Sequence, residues 1–296
     1  MIKKSWIKIT LVVLSFALLL IAAGCGTNDS SNSKINEISI SFIPTENTDE
    51  IMELYQPLVD YLSEELGIKI KTYVATDYTS VIEAMRSNKV DVAWYGPFSY
   101  ILAAENAGAE AFAMPVDHSG KDTYFSYFIK PAGSDIETLK DLKGKNFTFG
   151  DPASTSGHLI PRYYLTKAGF NPEEDMEVQF SGGHDATAMA VKNNKVDAGA
   201  MASEIYERME KKGLIGPDSV IIFKKSDPLP LDPWAYRSDL PQEVKDKLKE
   251  ALLAVDKKAP GVLQGTGFAK FKAVRDSKYD VIRDVAKTMD LGLDDL

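Results

Sequence analysis

The chain has 296 residues, 44% of them apolar and 26% charged, with 43 acidic against 34 basic side chains. That length and composition suit two modest domains or one large one, with enough apolar material for a real core. A net charge of −9 argues against nucleic acid as a partner and against drawing in anions by a bulk field, so any anion site must be local.

Lys3, Lys4 and Lys8 precede a nearly unbroken apolar run over residues 9–23, which ends in Ala22-Ala23-Gly24-Cys25. This is the layout of a secretory signal spanning residues 1–24. It is shorter than the stretch of about 20 apolar residues that a spanning helix needs, and no second apolar run of that length follows. Cys25 is the only cysteine, so intrachain disulfides are excluded. It stands where a lipoprotein signal peptidase would leave it as the new N-terminus, carrying a lipid that holds the protein to the membrane. The small residues before it fit, although Ala22 takes a place usually held by Leu; the bland alternative is an incidental thiol with ordinary cleavage. Residues 25–36 are rich in Ser, Asn, Asp and Lys and read as a flexible tether. Loss of the signal removes three lysines and takes the net charge to −12. The expected location is the extracytoplasmic face of the cell membrane.

Short strand patterns then alternate with amphipathic helical ones. Residues 38–43 alternate as a strand. Tyr55, Leu58, Val59, Leu62 and Leu66 recur at helical spacing, and Gly67 stops that helix. A strand is predicted over 68–74, a helix over 81–85, a strand over 90–94 and an Ala-rich helix over 98–107. After a polar loop at 117–122 comes a strand over 124–129. The rhythm then repeats: strands over 147–149, 178–180, 196–201 and 220–223, and helices over 159–168, 186–192 and 205–212. The tail over 242–293 reads as mainly helical. This alternation implies an α/β fold with mainly parallel sheets, in two blocks that meet near residue 125. The string Asn88-Lys89-Val90-Asp91 resembles Asn194-Lys195-Val196-Asp197. It is either the same helix-turn-strand device in two lobes or a chance likeness.

Chemistry concentrates at strand-to-helix turns, where α/β sheets bind ligands. Ser154, Thr155 and Ser156 stand at a helix start. Backbone N–H groups there lack intrahelical partners and the dipole favours negative charge, so a phosphoryl-type anion fits. Plain N-capping accounts for one hydroxyl and less well for three. His184, in Ser181-Gly182-Gly183-His184-Asp185, is an anion donor or a capping residue. Tyr78, Tyr95 and Tyr124 are candidate ligand contacts or core residues with satisfied hydroxyls. Glu204 and Asp232 are a solvent-facing acid and a turn residue or, if they line the same cleft as the serines, a seat for an ammonium. No Gly-x-Ser-x-Gly elbow, Walker loop or HExxH string is present. With one cysteine and three histidines, a structural zinc site is not expected. No enzyme, metal or cofactor is expected.

Four segments carry a family likeness: Asp77-Tyr78 before the helix at 81–86; Val90-Asp91-Val92-Ala93-Trp94-Tyr95-Gly96; Phe149-Gly150-Asp151-Pro152-Ala153-Ser154-Thr155-Ser156-Gly157; and Asp227-Pro228-Leu229-Pro230-Leu231-Asp232-Pro233. In this order and spacing the chain resembles, over about residues 38–239, the phosphonate-binding proteins (PhnD type) of ABC transporters in the phosphate/phosphite/phosphonate group. The resemblance implies a type II periplasmic-binding-protein fold. Two α/β lobes, 37–125 plus 227–296 and 126–226, would be joined by a two-strand hinge and close over the ligand. It implies an ABC permease as partner. It places Ser154, Thr155, Ser156 and His184 on the family's phosphonate-oxygen contacts and Tyr78 and Tyr124 on its ligand-contacting tyrosines. Glu204 and Asp232 fall on the carboxylates that pair with the amine of 2-aminoethylphosphonate, so an aminoalkylphosphonate is the favoured ligand. His158 departs from a position expected to be apolar or aromatic. As a further oxyanion donor it would tilt the reading towards phosphite, phosphate or methylphosphonate. A secreted sensory domain and a hydrolase of phosphorus esters are the readings from other classes.

Overall fold

The structure is a computed structural model that describes residues 35–292. The expected signal, Cys25 and nearly all of the expected tether lie outside the described residues. β1 (Glu37–Phe42) buries Ile38, Ile40 and Phe42 on one face. α1 (Thr48–Leu66) begins at Asn47, whose side chain accepts from the Asp49 N–H, and ends at Gly67 in the left-handed region, φ 63°. Then follow β2 (Lys69–Val74), α2 (Tyr78–Arg86), β3 (Val92–Trp94), α3 (Pro97–Ala107) and β4 (Ala109–Asp117). The chain leaves this lobe through β5 (Thr123–Tyr124) and builds the second: β6 (Ser126–Pro131), β7 (Asn146–Phe149), α4 (Ile160–Lys167), the single turn α5 (Pro172–Asp175), β8 (Glu177–Phe180), α6 (His184–Lys192), β9 (Ala198–Ala202), α7 (Ser203–Lys211) and β10 (Val220–Lys225). It returns through β11 (Leu229–Pro230) to β12 (Trp234–Arg237), α8 (Gln242–Lys258), β13 (Phe268–Ala273) and α9 (Asp280–Thr288).

The first sheet has the order β13-β4-β12-β3-β1-β2 and the second β10-β6-β9-β7-β8. Between them, β5 and β11 pair antiparallel, Leu229 opposite Tyr124, as the two-strand hinge. The sheets are mixed rather than mainly parallel. β1 runs parallel to β2 and β3, and β7 to β8 and β9. β12, β4 and β13 in one sheet, and β6 and β10 in the other, pair antiparallel. Parallel neighbours need a crossover helix; β6 and β12 arrive from the hinge without one.

The tail is not all helix, because β13 interrupts it. Its buried Phe268 and Phe271 lie three residues apart across a register shift between Phe268 and Lys270, and that spacing imitates a helical period. β4, with Ala109, Ala111 and Ala113 and a proline at 115, carries too weak an alternation to be read as a strand. The recurring string has one structural meaning. Asn88 (φ 58°) and Asn194 (φ 51°) both turn the chain out of a helix in the left-handed region. Asp91 then accepts from the Ser39 N–H and Asp197 from the Asn146 N–H, each at 2.8 Å, fastening the next strand to the start of its neighbour. Both lobes thus aim a helix start, at Tyr78 and at His184, towards the same cleft.

An aromatic cluster underlies that cleft on the first lobe. Phe42 stacks on Tyr55 with ring centroids 5.1 Å apart, and Tyr55 meets Trp94 at 5.1 Å. The second lobe packs Phe128, Phe147, Phe149 and Leu165 beneath its own sheet.

Candidate functional site

The turn after β7 folds back on itself. The Gly150 N–H donates to the Gly157 carbonyl at 2.9 Å. A side chain at Gly157 has no room: its Cβ would lie 2.9 Å from Ser154 Oγ, 3.1 Å from Gly150 Cα and 3.1 Å from His184 Cε1. Ser154 Oγ accepts from the Gly157 N–H at 3.0 Å, which is the capping role. One wide π-turn, Thr155–Leu159, then leads into α4, a geometry frequent at functional sites. Capping therefore engages Ser154 alone. Thr155 and Ser156 remain, with first-turn N–H groups that have no intrahelical acceptor. Thr155 Oγ1 accepts from the Phe98 N–H of the other lobe at 2.8 Å, so its hydroxyl hydrogen is free to donate.

Two more bonds draw the lobes together around this turn, from Tyr78 to Asp151 and from His184 to Thr45. Asp151 accepts from Ala153 N–H at 2.7 Å and from Tyr78 N–H at 3.2 Å; burial lifts its pKa to about 6. The His184 N–H donates to the Thr45 carbonyl at 2.8 Å. The His184 ring accepts from the Ala202 N–H at Nδ1, 3.3 Å, which places the ring proton on Nε2. Burial holds this imidazole at about 3, with Arg208 adding to the depression. At physiological pH it is a neutral donor. Burial also lifts the phenols of Tyr78 and Tyr124 well above their ordinary range, with help from nearby carboxylates, so both stay protonated donors.

The resulting pocket encloses about 470 Å³, its mouth included, and is lined by Tyr78, Tyr124, Ser154, Thr155, Ser156, His184, Glu204 and Asp232, among others. Hydroxyls and His184 gather on one side. Asp232 is buried and its carboxylate has no hydrogen-bond partner among the described residues. Glu204 is half-buried and accepts from Ser203 Oγ at 3.2 Å. Burial raises Glu204 to about 7; burial and then repulsion from Glu204 raise Asp232 well above the carboxylate range.

Two expected ligand contacts lie elsewhere. Tyr95 is wholly buried and turns its hydroxyl to Val81 O at 3.4 Å and Met85 Sδ at 3.6 Å. Its neighbour Trp94 lines the pocket instead, because successive side chains at a strand end point to opposite sides. His158 packs between Phe149 and Phe180, each ring centroid 5.0 Å away. Its Nδ1 lies 2.6 Å from the Pro152 carbonyl, and its Nε2 accepts from Arg162 Nε at 2.9 Å. It serves as an aromatic prop behind the loop, held near 4 by burial, and adds no oxyanion donor. Changing Tyr95 to phenylalanine should therefore leave ligand affinity within about twofold and cost about 1 kcal/mol of stability or less, measured by titration calorimetry and denaturant unfolding.

Tyr55, Glu46 and Arg208, which were not expected from the sequence, also line the pocket. Arg208 forms an ion pair with Glu46 across the lobes, while its Nε is buried without a partner. The i, i+4 spacing of Glu204 and Arg208 on α7 was a usable signal, since it puts both on one face. Nothing in the sequence pairs Glu46 with residue 208.

The sequence matches the family described as "ABC transporter, phosphonate, periplasmic substrate-binding protein" over residues 40–279. It is 33% identical to the phosphonates-binding periplasmic protein of Escherichia coli, covering 84% of this chain and 75% of that one. It is also 33% identical to a phosphate-import protein of Mycolicibacterium smegmatis, covering 90% and 91%. A crystal structure of the binding component of a phosphonate ABC transporter from Pseudomonas aeruginosa superposes with a TM-score of 0.82 at 31% identity, over 86% of this chain and 87% of that one. The fold is that of the type II periplasmic binding proteins, and the chain belongs to the family of periplasmic phosphonate substrate-binding proteins of ABC transporters.

Proposed function

We propose that the chain is a lipoprotein, anchored through Cys25 outside the cytoplasm, that binds an aminoalkylphosphonate such as 2-aminoethylphosphonate for delivery to the transmembrane subunits of its permease. The phosphonate docks on Ser154, Thr155 and Ser156 in the lobe formed by residues 126–226. The lobe formed by 37–125 plus 227–296 then closes by hinge motion, bringing Tyr78 and Tyr124 onto it. His184 donates from Nε2. In the closed cleft each charge-assisted bond is strengthened by the loss of water.

The observation that carries the amine is Asp232. A buried carboxylate without a partner is costly, and Glu204 beside it makes full ionisation costlier still. An ammonium answers both. The rival ligand is a bare oxyanion: phosphite, phosphate or methylphosphonate. The raised pKa values favour that rival in one respect, since a protonated carboxyl is itself a hydrogen-bond donor.

Proton release separates the two. With Glu204 near 7, the empty site holds a proton at pH 6 that an ammonium must expel. Calorimetry at pH 6 in buffers of different ionisation enthalpy should show 2-aminoethylphosphonate releasing about one proton more than methylphosphonate, after each ligand's own phosphonate ionisation is subtracted. Equal release, with methylphosphonate the tighter ligand, would establish the rival.

A further inference from the structure

Behind the acidic end of the pocket lies a second, wider cavity of about 1150 Å³, open to solvent. Glu204, Arg208 and Phe268 belong to the walls of both; Lys211 and His118 belong to the outer one alone. Glu204, Arg208 and Lys211 are spaced by four and then three residues on α7, so they form a stripe on one face. By helical rise, Arg208 stands about 6 Å beyond Glu204 and Lys211 about 4.5 Å beyond that. From the hydroxyl turn outward, the order of charge offered to a ligand is therefore anion-binding, cation-binding, anion-binding.

The two outer cations have capacity to spare. Arg208 gives Nη2 to Glu46; its Nε is sealed from solvent without a partner, and no hydrogen bond engages its Nη1 among the described residues. Lys211 makes no ion pair among the described residues. Two further acids share these walls, each already accepting hydrogen bonds from neutral donors. Glu207 accepts from Tyr127 Oη at 3.1 Å. Asp117 accepts from the Ser119 and Lys121 N–H groups, both at 2.8 Å. Phe268, which lines both cavities, follows Gly265 (φ 91°) and Gly267 (φ 85°).

We propose that this outer cavity is a subsite for a carboxylate carried next to the ligand's amine, so that the protein takes α-carboxylated aminophosphonates as well as the simple amines. The inference rests on the aminophosphonate reading of the central pocket. A matched pair of probes tests it: 2-aminoethylphosphonate and 2-amino-3-phosphonopropanoate, which differ by one carboxylate on the amine-bearing carbon. On the full chain, the carboxylated probe should bind within about tenfold of the simple one. Lys211→Met, at the protein surface, and Arg208→Met should each lower the affinity ratio of carboxylated to simple ligand by about tenfold. The ratio is the readout because Arg208→Met also breaks the contact with Glu46 and weakens both ligands. If 2-aminoethylphosphonate binds while its carboxylated partner is rejected by more than about a hundredfold, or if the variants leave the ratio unchanged, the subsite is overturned and the central reading survives. If neither binds, both fall.

Discussion

Replacing Thr155 with valine should weaken phosphonate binding by a hundredfold or more, about 3 kcal/mol in titration calorimetry. Valine keeps the shape and removes the hydroxyl, which has two tasks. It donates to the ligand, and a hydrogen bond to a charged group contributes about 1.5–3 kcal/mol. It also accepts from the Phe98 N–H of the opposite lobe. Without that acceptor a buried N–H is stranded, at a further cost of about 1–3 kcal/mol. The second loss falls on the closed form alone, because both groups meet water once the lobes part. The melting temperature of the unliganded protein should accordingly move little while the ligand-induced rise shrinks. An unchanged dissociation constant would remove Thr155 from the anion site.

Glu204→Gln should cut affinity for 2-aminoethylphosphonate by about 30-fold or more, the usual effect of truncating one partner of a buried charge pair. Asp232→Asn should cost at least as much, since Asp232 is the more deeply buried. Neither change should shift methylphosphonate affinity by more than about threefold, because that ligand has no cation to lose. The wild-type pH profile has a definite sign. Glu204 has a raised pKa, about 7, so the empty site gains a proton as pH falls through that value. Amine binding must displace it, and affinity for 2-aminoethylphosphonate should fall below pH 7 and level off above it. In Glu204→Gln the part of that step owed to Glu204 should disappear, leaving the part owed to Asp232, which burial keeps raised. His184, held near 3 by burial, contributes no step between pH 5 and 8. Equal losses for the two ligands in the Glu204 and Asp232 variants would mean that the carboxylates shape the cleft without touching an amine.

The residues that were legible in the sequence obey local rules. Gly67 and the helical stripe before it marked α1. The two Asn-Lys-Val-Asp strings marked the same helix exit in each lobe, and three hydroxyls at a strand-to-helix turn marked the candidate anion site. What escaped depends on parity or on distance. Trp94 and Tyr95 are neighbours, and only the position of β3 in its sheet decides which of them meets the cleft. His158 sits two residues past Ser156, yet the π-turn carries its ring away between Phe149 and Phe180. The bulge in β13 spaced its two phenylalanines like a helix. Arg208 and Glu46 are 162 residues apart and meet because the lobes close. No local pattern encodes such a contact.

The proposed binding mode seats a dianion at the turn that leads into α4, with its amine turned towards the acids. A crystal structure with 2-aminoethylphosphonate should show phosphonate oxygens within about 3.2 Å of the Thr155 and Ser156 hydroxyls and of His184 Nε2, and the amine between Glu204 and Asp232. Phosphorus density away from that turn, or a ligand lying the other way round, would contradict it.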